Sequence, residues 1–320
     1  MAASPAPDPG HPPVYLALGG GGARGLAHIG ILRALEERGI PVAGAAGTSI
    51  GAVVGGMWAA GLLDAYEEFV RGLELGSVLW FLDPTLPRSG LVGGNRLWSA
   101  MGRMIGDRRI EDLPRPFRAI TAELFSGDEV RVAEGSLTEA LRASTTIPGL
   151  FPPVRLQGRW MVDGGLAAPV PVTAARELGE GLVLAVDLNS RSRSRDPGEE
   201  AHEDEVDTAA REGRGGRVLQ KLERWWSTLR PDPAERPPGI LTVVHQGIAQ
   251  IQARLTRLQL EREPPDLLLQ PSLPDVSLLD FHKAAPAIAV GRACAEEMFQ
   301  SGAWDRALED WRRRHETAAS

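Results

Sequence analysis

Gly47-Thr48-Ser49-Ile50-Gly51 is the stretch around which the rest of this chain is organised. It follows a small apolar run at residues 42–46 and precedes a second, helix-like apolar run at residues 52–62. We expect a strand, a sharp turn and a helix, with the serine hydroxyl exposed above the end of a sheet. Gly47 and Gly51 leave room around such a turn. The pattern indicates a nucleophile, although G-x-S-x-G also arises by chance.

A similar unit precedes this stretch. Residues 14–18 predict a short buried strand, which runs into a glycine-rich loop at residues 19–25 and a helix at residues 26–38. A strand–helix–strand–helix start favours parallel strands with helical crossovers. Further strands are predicted at residues 118–124, 129–133, 160–162, 182–188 and 266–270. The predicted fold class is α/β, a three-layer α/β/α arrangement with a mostly parallel central sheet.

Composition limits the function classes. The chain has 320 residues, 43% hydrophobic and 24% charged, with a net charge of −7, which is typical of a soluble protein and argues against nucleic-acid binding. Its one cysteine, Cys294, excludes an internal disulfide and favours a cytoplasmic location. Residues 40–63 carry no charge and are long enough to span a bilayer, but six glycines and Pro41 favour a buried strand, turn and helix.

The chain reads as one α/β domain over residues 14–300, preceded by a flexible tail (1–13) and followed by a C-terminal helix or tail (301–320). A charged and proline-rich insertion interrupts the domain at about residues 190–238. Within it, Lys221, Arg224 and Arg230 accompany a stripe of four apolar residues on one predicted helical face: Leu219, Leu222, Trp226 and Leu229. That face predicts packing onto the domain or a partner, or an interfacial helix at a membrane.

The glycine loop has two interpretations. Backbone N–H groups of Gly20, Gly21 and Gly22, at the entry to a helix, can stabilise the oxyanion that forms when serine attacks a carbonyl group. The same loop type can bind phosphate. The phosphate-loop pattern is absent, because Leu26 and Ala27 follow Gly25, and no acidic residue ends the second strand as dinucleotide binding requires. The sequence favours the oxyanion function.

A serine nucleophile needs a base. None of the six histidines lies in a setting typical of a catalytic triad: His11, His28, His202, His245, His282 and His315. Asp163 ends a predicted strand and is followed by Gly164 and Gly165, which give its carboxylate backbone room. From the residues by themselves, Asp163 is either the base or an ordinary turn aspartate.

Three motifs in this order resemble the signatures of the patatin-like phospholipase family: the glycine loop 20–25, the serine turn 47–51 and Asp163-Gly164-Gly165. The resemblance also covers residues 143–153, 266–271 and 280–281. Within the family, the chain is similar to the bacterial single-domain branch related to the neuropathy target esterase catalytic region. The resemblance spans residues 14–189 and 240–300 but not the insertion.

The resemblance implies a Ser–Asp dyad, with Ser49 as nucleophile and Asp163 as base. Gly20, Gly21 and Gly22 form the implied oxyanion loop and Arg24 shapes it, with supporting glycines at positions 25, 47, 51, 164 and 165. The implied substrate is a phospholipid, lysophospholipid or other acyl ester, cleaved through an acyl-enzyme without metal or cofactor. An ordinary aspartate is a weak base for serine, so burial has to raise its pKa.

Two further expectations concern the substrate. An apolar group of side chains predicts either an acyl groove with a lid or local core packing: Trp80, Phe81, Leu82, Leu86, Trp98, Met101 and Met104. Peripheral contact with the inner membrane surface would suit a lipid substrate. The alternative function is a catalytically weak or silent patatin-fold protein that binds or regulates through its insertion.

Overall fold

The computed structural model describes residues 11–83, 92–189 and 240–318. They contain eight strands: β1 (Val14–Leu18), β2 (Val42–Thr48), β3 (Phe117–Glu123), β4 (Glu129–Val132), β5 (Val154–Leu156), β6 (Arg159–Asp163), β7 (Leu182–Val186) and β8 (Leu267–Leu269). They also contain ten α-helices: α1 (Ala27–Glu37), α2 (Ile50–Ala59), α3 (Leu63–Arg71), α4 (Leu75–Leu82), α5 (Asn95–Ile105), α6 (Leu137–Ser144), α7 (Val172–Arg176), α8 (Ile240–Arg262), α9 (Ala284–Gln300) and α10 (Ala303–Ala318).

All eight strands form one sheet. Hydrogen-bonded pairing runs β5-β6-β3-β2-β1-β7-β8, and β4 pairs with the other edge of β3. The pairs among β3, β2, β1, β7 and β8 are parallel, whereas β4, β5 and β6 add antiparallel pairs at one side. The sheet is therefore mixed and mostly parallel, which confirms the predicted fold class.

Both faces of the sheet are covered, which explains the uninterrupted apolar runs of β1 and β7. Leu16 and Leu18 point into a large core formed with α1, α2 and α9. The alternate residue, Ala17, points into a smaller core with α7 and with Leu260 of α8. Helices on two opposite faces make three layers.

The positions of β2 and β6 along β3 decide where the candidate functional residues meet. Ala119 of β3 pairs with β2 on one edge and with β4 on the other, and Thr121 pairs with β6 and β4 in the same way. β2 and β6 therefore share one edge of β3, and they approach each other along it from opposite directions. Thr48, at the end of β2, is level with Ile120, while Asp163, at the end of β6, is level with Thr121.

A two-residue turn sets the register of β6 against β5. Leu156 pairs with Arg159, so only Gln157 and Gly158 lie between the strands. Their φ angles are 49° and 81°. Positive φ at both central residues is the requirement of a type I′ hairpin turn, whose twist matches that of the flanking strands.

Several sequence expectations need adjustment. Pro12 is buried and the Pro13 carbonyl oxygen accepts a hydrogen bond from Leu182 at 2.9 Å, so residues 12–13 belong to the folded domain and not to a tail. The helix expected after residue 300 packs into the large core through Trp304 and Leu308, and so it also belongs to the domain. β5 was not predicted.

The chain divides into two compact units, residues 1–192 with 248–320, and residues 193–247. Of the second unit the structure describes residues 240–247, the start of α8. The insertion stripe (residues 219–229), Leu86 and most of the predicted tail lie outside the described residues. Residues 40–63 form a strand, a turn and a ten-residue helix, and no helix within the described ranges is long and apolar enough to cross a membrane.

Candidate active site

Ser49 occupies a strained turn between β2 and α2. Its φ is 55° and its ψ is −126°, a backbone conformation that costs a non-glycine residue of order 1–3 kcal/mol. The turn is held on both sides: the Ser49 N–H donates to Ser144 Oγ at 2.9 Å, and the hydroxyl of Thr48 donates to the Ala168 carbonyl oxygen at 2.7 Å. Gly51 is required here because a Cβ would lie 2.1 Å from the Leu18 carbonyl oxygen.

Ser49 and Asp163 form a buried hydrogen-bonded pair. The Ser49 hydroxyl donates to Asp163 Oδ2 at 2.6 Å, and the Gly165 N–H donates to Asp163 Oδ1 at 2.8 Å. Ser49 is 7% exposed and Asp163 is 4% exposed. Both carboxylate oxygens are therefore occupied, and the one that faces Ser49 is positioned to receive its proton.

Burial changes the basicity of Asp163. It raises the pKa of the carboxyl group from 3.8 to about 6, while the hydrogen bonds from Ser49 and Gly165 act in the opposite direction. A base is most effective when its pKa lies near the working pH. The site thus has the desolvation that a Ser–Asp pair requires.

The glycine loop lies beside this pair, and its N–H groups are not equivalent. The N–H of Gly20 donates to the Pro169 carbonyl oxygen at 3.0 Å, so it is not free to bind an oxyanion, contrary to expectation. The N–H groups of Gly21 and Gly22 have no hydrogen-bond partner within the described part of the chain. Gly22 has a φ of 58°, and a Cβ there would lie 2.4 Å from the Leu278 carbonyl oxygen.

Three side chains bind carbonyl oxygens of the loop, and a fourth, Asp187, supports one of the three. Arg24 Nε donates to the Gly21 carbonyl oxygen at 3.2 Å, as expected for a residue that shapes the loop. Asn189 Nδ2 donates to the Gly20 carbonyl oxygen at 3.1 Å, and Asp187 accepts from the Asn189 N–H at 2.9 Å. His28 is fully buried with Nε2 2.8 Å from the Gly19 carbonyl oxygen.

His28 is a structural residue and not a base. Burial lowers its pKa to about 4, so the ring is neutral near pH 7 and Nε2–H donates to Gly19. The remaining motif glycines are close-packed: Gly25 against Ile50, Gly47 against Gly51, Gly164 against the Ile120 carbonyl oxygen and Gly165 against Gln252.

An apolar cavity leads away from Ser49. It encloses about 910 Å³ of space, open solvent at its mouth included. Gly22, Ser49 and Ile50 are among the residues that line it. The remaining walls are almost entirely apolar and come from α2 to α5 and from three connecting segments: Val53, Tyr66, Phe69, Val70, Leu73, Val78, Phe81, Leu97, Trp98, Met101, Thr145, Ile147, Phe151, Leu278, Leu279 and Phe281. The cavity has the shape and polarity for a hydrocarbon chain attached to a group at Ser49.

The groove prediction is only partly matched. Phe81, Trp98 and Met101 line the cavity. Trp80 is instead 55% exposed on the outer face of α4, and Met104 packs against the large core.

Sequence reasoning assigned no role to Ser144, Asp187 and Asn189. Asp187 and Asn189 directly follow β7, on the edge of the sheet where β2 also ends, and polar residues in that position are a usable signal. The described residues contain no group of three or more potential metal ligands.

Comparison with known proteins points to one family. The family model for patatin-like phospholipases matches residues 16–176. An uncharacterised NTE family protein of Mycobacterium tuberculosis is 33% identical over 91% of this chain and 92% of that protein. Lysophospholipase NTE1 of Yarrowia lipolytica is 32% identical over 87% of this chain, which corresponds to 19% of its own length.

The crystal structure of VipD from Legionella pneumophila aligns with 92% of this chain and 67% of its own, at a TM-score of 0.43 and 14% identity.

Proposed function

The chain belongs to the patatin-like phospholipase family, and we propose that it hydrolyses acyl esters of phospholipids or lysophospholipids with a Ser49–Asp163 dyad. As a family member it is a hydrolase of lipid esters. The dyad, the acyl-enzyme and the substrate are our proposal. It rests above all on the 2.6 Å hydrogen bond from Ser49 Oγ to Asp163 Oδ2 at the head of an apolar cavity.

In the first half of the cycle, Ser49 Oγ attacks the ester carbonyl carbon while its proton moves to Asp163 Oδ2. The N–H groups of Gly21 and Gly22 stabilise the resulting oxyanion. When the tetrahedral intermediate collapses, the carbon–oxygen bond to the alcohol breaks and the departing oxygen takes the proton from Asp163. The acyl group remains on Ser49, with its chain in the cavity.

In the second half, a water molecule takes the place of the alcohol. Asp163 accepts a proton from that water as its oxygen attacks the acyl carbon, and the same two N–H groups stabilise the second oxyanion. Collapse releases the fatty acid and returns the proton to Ser49 Oγ. No step needs a histidine. His28 instead donates its Nε2–H to the Gly19 carbonyl oxygen of the glycine loop.

Peripheral membrane contact is supported by α4. Val78 and Phe81 on one side of this helix line the cavity, while Leu75, Leu79 and Trp80 on the other side are each more than half exposed. Arg96 stacks on Trp80 with its guanidinium carbon 4.9 Å from the ring centroid. An apolar face beside an acyl cavity suits a lipid surface, and we propose that the protein works in the cytoplasm at the inner membrane face.

The decisive experiment combines turnover and covalent labelling. We expect the wild-type protein to hydrolyse p-nitrophenyl esters and lysophosphatidylcholine, and Ser49 to react with a fluorophosphonate probe. Ser49→Ala removes both reactions, because no other group replaces the hydroxyl, and leaves the circular dichroism spectrum unchanged.

Folded wild-type protein that is neither labelled nor active on any ester would refute this function. The silent, regulatory alternative would then stand. Activity that persists in Ser49→Ala would instead mean that another residue is the nucleophile.

A further inference from the structure

Three consecutive hydroxyl residues, Ser144 to Thr146, lie at the C-terminal end of α6 and just beyond it, and one of them forms different hydrogen bonds from its neighbours. The hydroxyls of Thr145 and Thr146 donate back to carbonyl oxygens of their own helix, those of Leu141 and Arg142. That local bond is the ordinary behaviour of serine and threonine at a helix end. Ser144, fully buried, instead donates its hydroxyl to the Ile120 carbonyl oxygen on β3 at 2.6 Å.

The same hydroxyl oxygen accepts the Ser49 N–H at 2.9 Å. The side chain of Ser144 therefore bridges the backbone of the nucleophile and the backbone of β3. Ile120 is the last residue of β3 that pairs with β2, through Thr48. The bridge lies where the pairing of β2 with β3 ends and the chain turns into α2. Beyond that point the Ser144 hydroxyl, and not strand pairing, links the Ser49 backbone to β3.

The base is tied to the same short segment. The N–H of Asp163 donates to the Thr146 carbonyl oxygen at 2.8 Å. Residues 144–146 thus hold the backbone of Ser49 through a side chain and that of Asp163 through a carbonyl group. Together with β3 and the hydrogen bond from Thr48 to Ala168, this segment aligns two residues, Ser49 and Asp163, that are 114 residues apart in sequence.

We propose that Ser144 is a positioning residue for acyl transfer: its hydroxyl holds the strained Ser49 turn in register with β3, so that Ser49 Oγ stays within hydrogen-bond reach of Asp163. This inference rests on the proposed function. Ser144 does not line the cavity, so its effect falls on the chemical step and not on acyl-chain binding.

Ser144→Ala removes both the side-chain acceptor of the Ser49 N–H and the hydroxyl that donates to the Ile120 carbonyl oxygen. Small displacements of reacting groups cost up to about 100-fold in rate. We expect kcat to fall by about 10- to 100-fold, with KM within about twofold and an equal loss for short and long acyl chains. Ser144→Thr retains the hydroxyl and recovers most of kcat.

A pH profile separates positioning from general destabilisation. The hydrogen bond from Ser49 lowers the pKa of Asp163, and the Gly165 N–H is the other described group that does so. If the Ser49 turn loosens, that pKa rises, and the acid limb of kcat/KM moves to higher pH in Ser144→Ala. Mere destabilisation would reduce the amount of active enzyme at every pH without moving the limb.

The matched control is Thr256→Val. Thr256 is also buried and its hydroxyl donates to the Gln252 carbonyl oxygen within its own helix. It removes one buried hydroxyl whose hydrogen bond stays within α8 instead of bridging to β3, and we expect an unchanged kcat and pH profile. Active sites are counted by fluorophosphonate labelling, so that kcat refers to folded enzyme. If Ser144→Ala does not fold, Ser144→Cys takes its place. Its thiol forms weaker hydrogen bonds, so kcat should again fall and the acid limb should again move to higher pH.

A kcat and acid limb equal to those of the wild type in folded Ser144→Ala would overturn the inference while leaving the proposed function intact. An equal loss in Ser144→Thr and Ser144→Ala would overturn it too, because the hydroxyl would then not be the cause. Wild-type protein that neither reacts with the probe nor turns over ester refutes the proposed function instead.

Discussion

Replacing Asp163 by asparagine is predicted to inactivate the protein and to stabilise it. The amide is isosteric with the carboxylate, so its oxygen can still accept the Gly165 N–H and its nitrogen can donate to Ser49 Oγ. What disappears is the ability to take a proton and the cost of holding a negative charge in a buried position.

The magnitude follows from the pKa of Asp163. Burial raises it from 3.8 to about 6, so between these pH values the folded protein binds more protons than the unfolded chain. Stability therefore falls as pH rises through this window and stays low above it. At 1.36 kcal/mol per pKa unit, the full cost is about 3 kcal/mol. We expect Asp163→Asn to be more stable than the wild type by up to about this amount at pH 8, and equal to it at pH 4.

Urea denaturation at several pH values between 4 and 8 measures the difference. Asp128→Asn is the control, because Asp128 is exposed in the β3–β4 turn and its replacement should change stability little at any pH. Asp163→Asn that is no more stable than the wild type at pH 8, or whose effect does not depend on pH, would refute the burial argument. Full esterase activity in the variant would refute the assignment of Asp163 as base.

Two further predictions concern the cavity and α4. Val53→Trp fills the cavity wall next to Ile50, so kcat/KM should fall more for esters of long acyl chains than for acetate esters; an equal fall for both would mean that the acyl chain lies elsewhere. Leu79→Asp places a charge on the exposed face of α4 and should reduce flotation with phosphatidylcholine vesicles, whereas Leu258→Asp, similarly exposed on α8, should not. Unchanged flotation of Leu79→Asp would exclude α4 as the contact.

Much of the fold follows from local patterns. β1 and β7 are covered on both faces, so their sequences are uninterrupted apolar runs that predict buried strands. The serine turn is recognisable because close approach of backbone to Leu18 requires a glycine at position 51. The three-residue β5 escapes prediction because a short, half-buried strand has no distinct period.

The candidate site, too, is predictable only in part from the sequence. Ser49, Asp163 and the glycine loop are predicted from motifs, and the structure brings them together, while their catalytic roles stay predictions. The commitment of the Gly20 N–H to Pro169 and the bridge made by Ser144 depend on contacts between distant parts of the chain. No local pattern encodes such contacts. For the same reason the sequence does not tell that Trp80 faces outward while Phe81 lines the cavity.

The meeting of β2 and β6 on one edge of β3 has a consequence for tolerance to insertions and deletions. A strand advances about 3.3 Å per residue and successive side chains alternate between faces. A slip of β6 by one residue would carry the Asp163 carboxylate away from Ser49 and turn it to the opposite face. The pairing of Thr121 with Asp163 sets this position, and the two-residue turn at Gln157 and Gly158 sets the register of β5 against β6, so we expect an insertion or deletion within β6 to cost activity even where it lies away from Ser49.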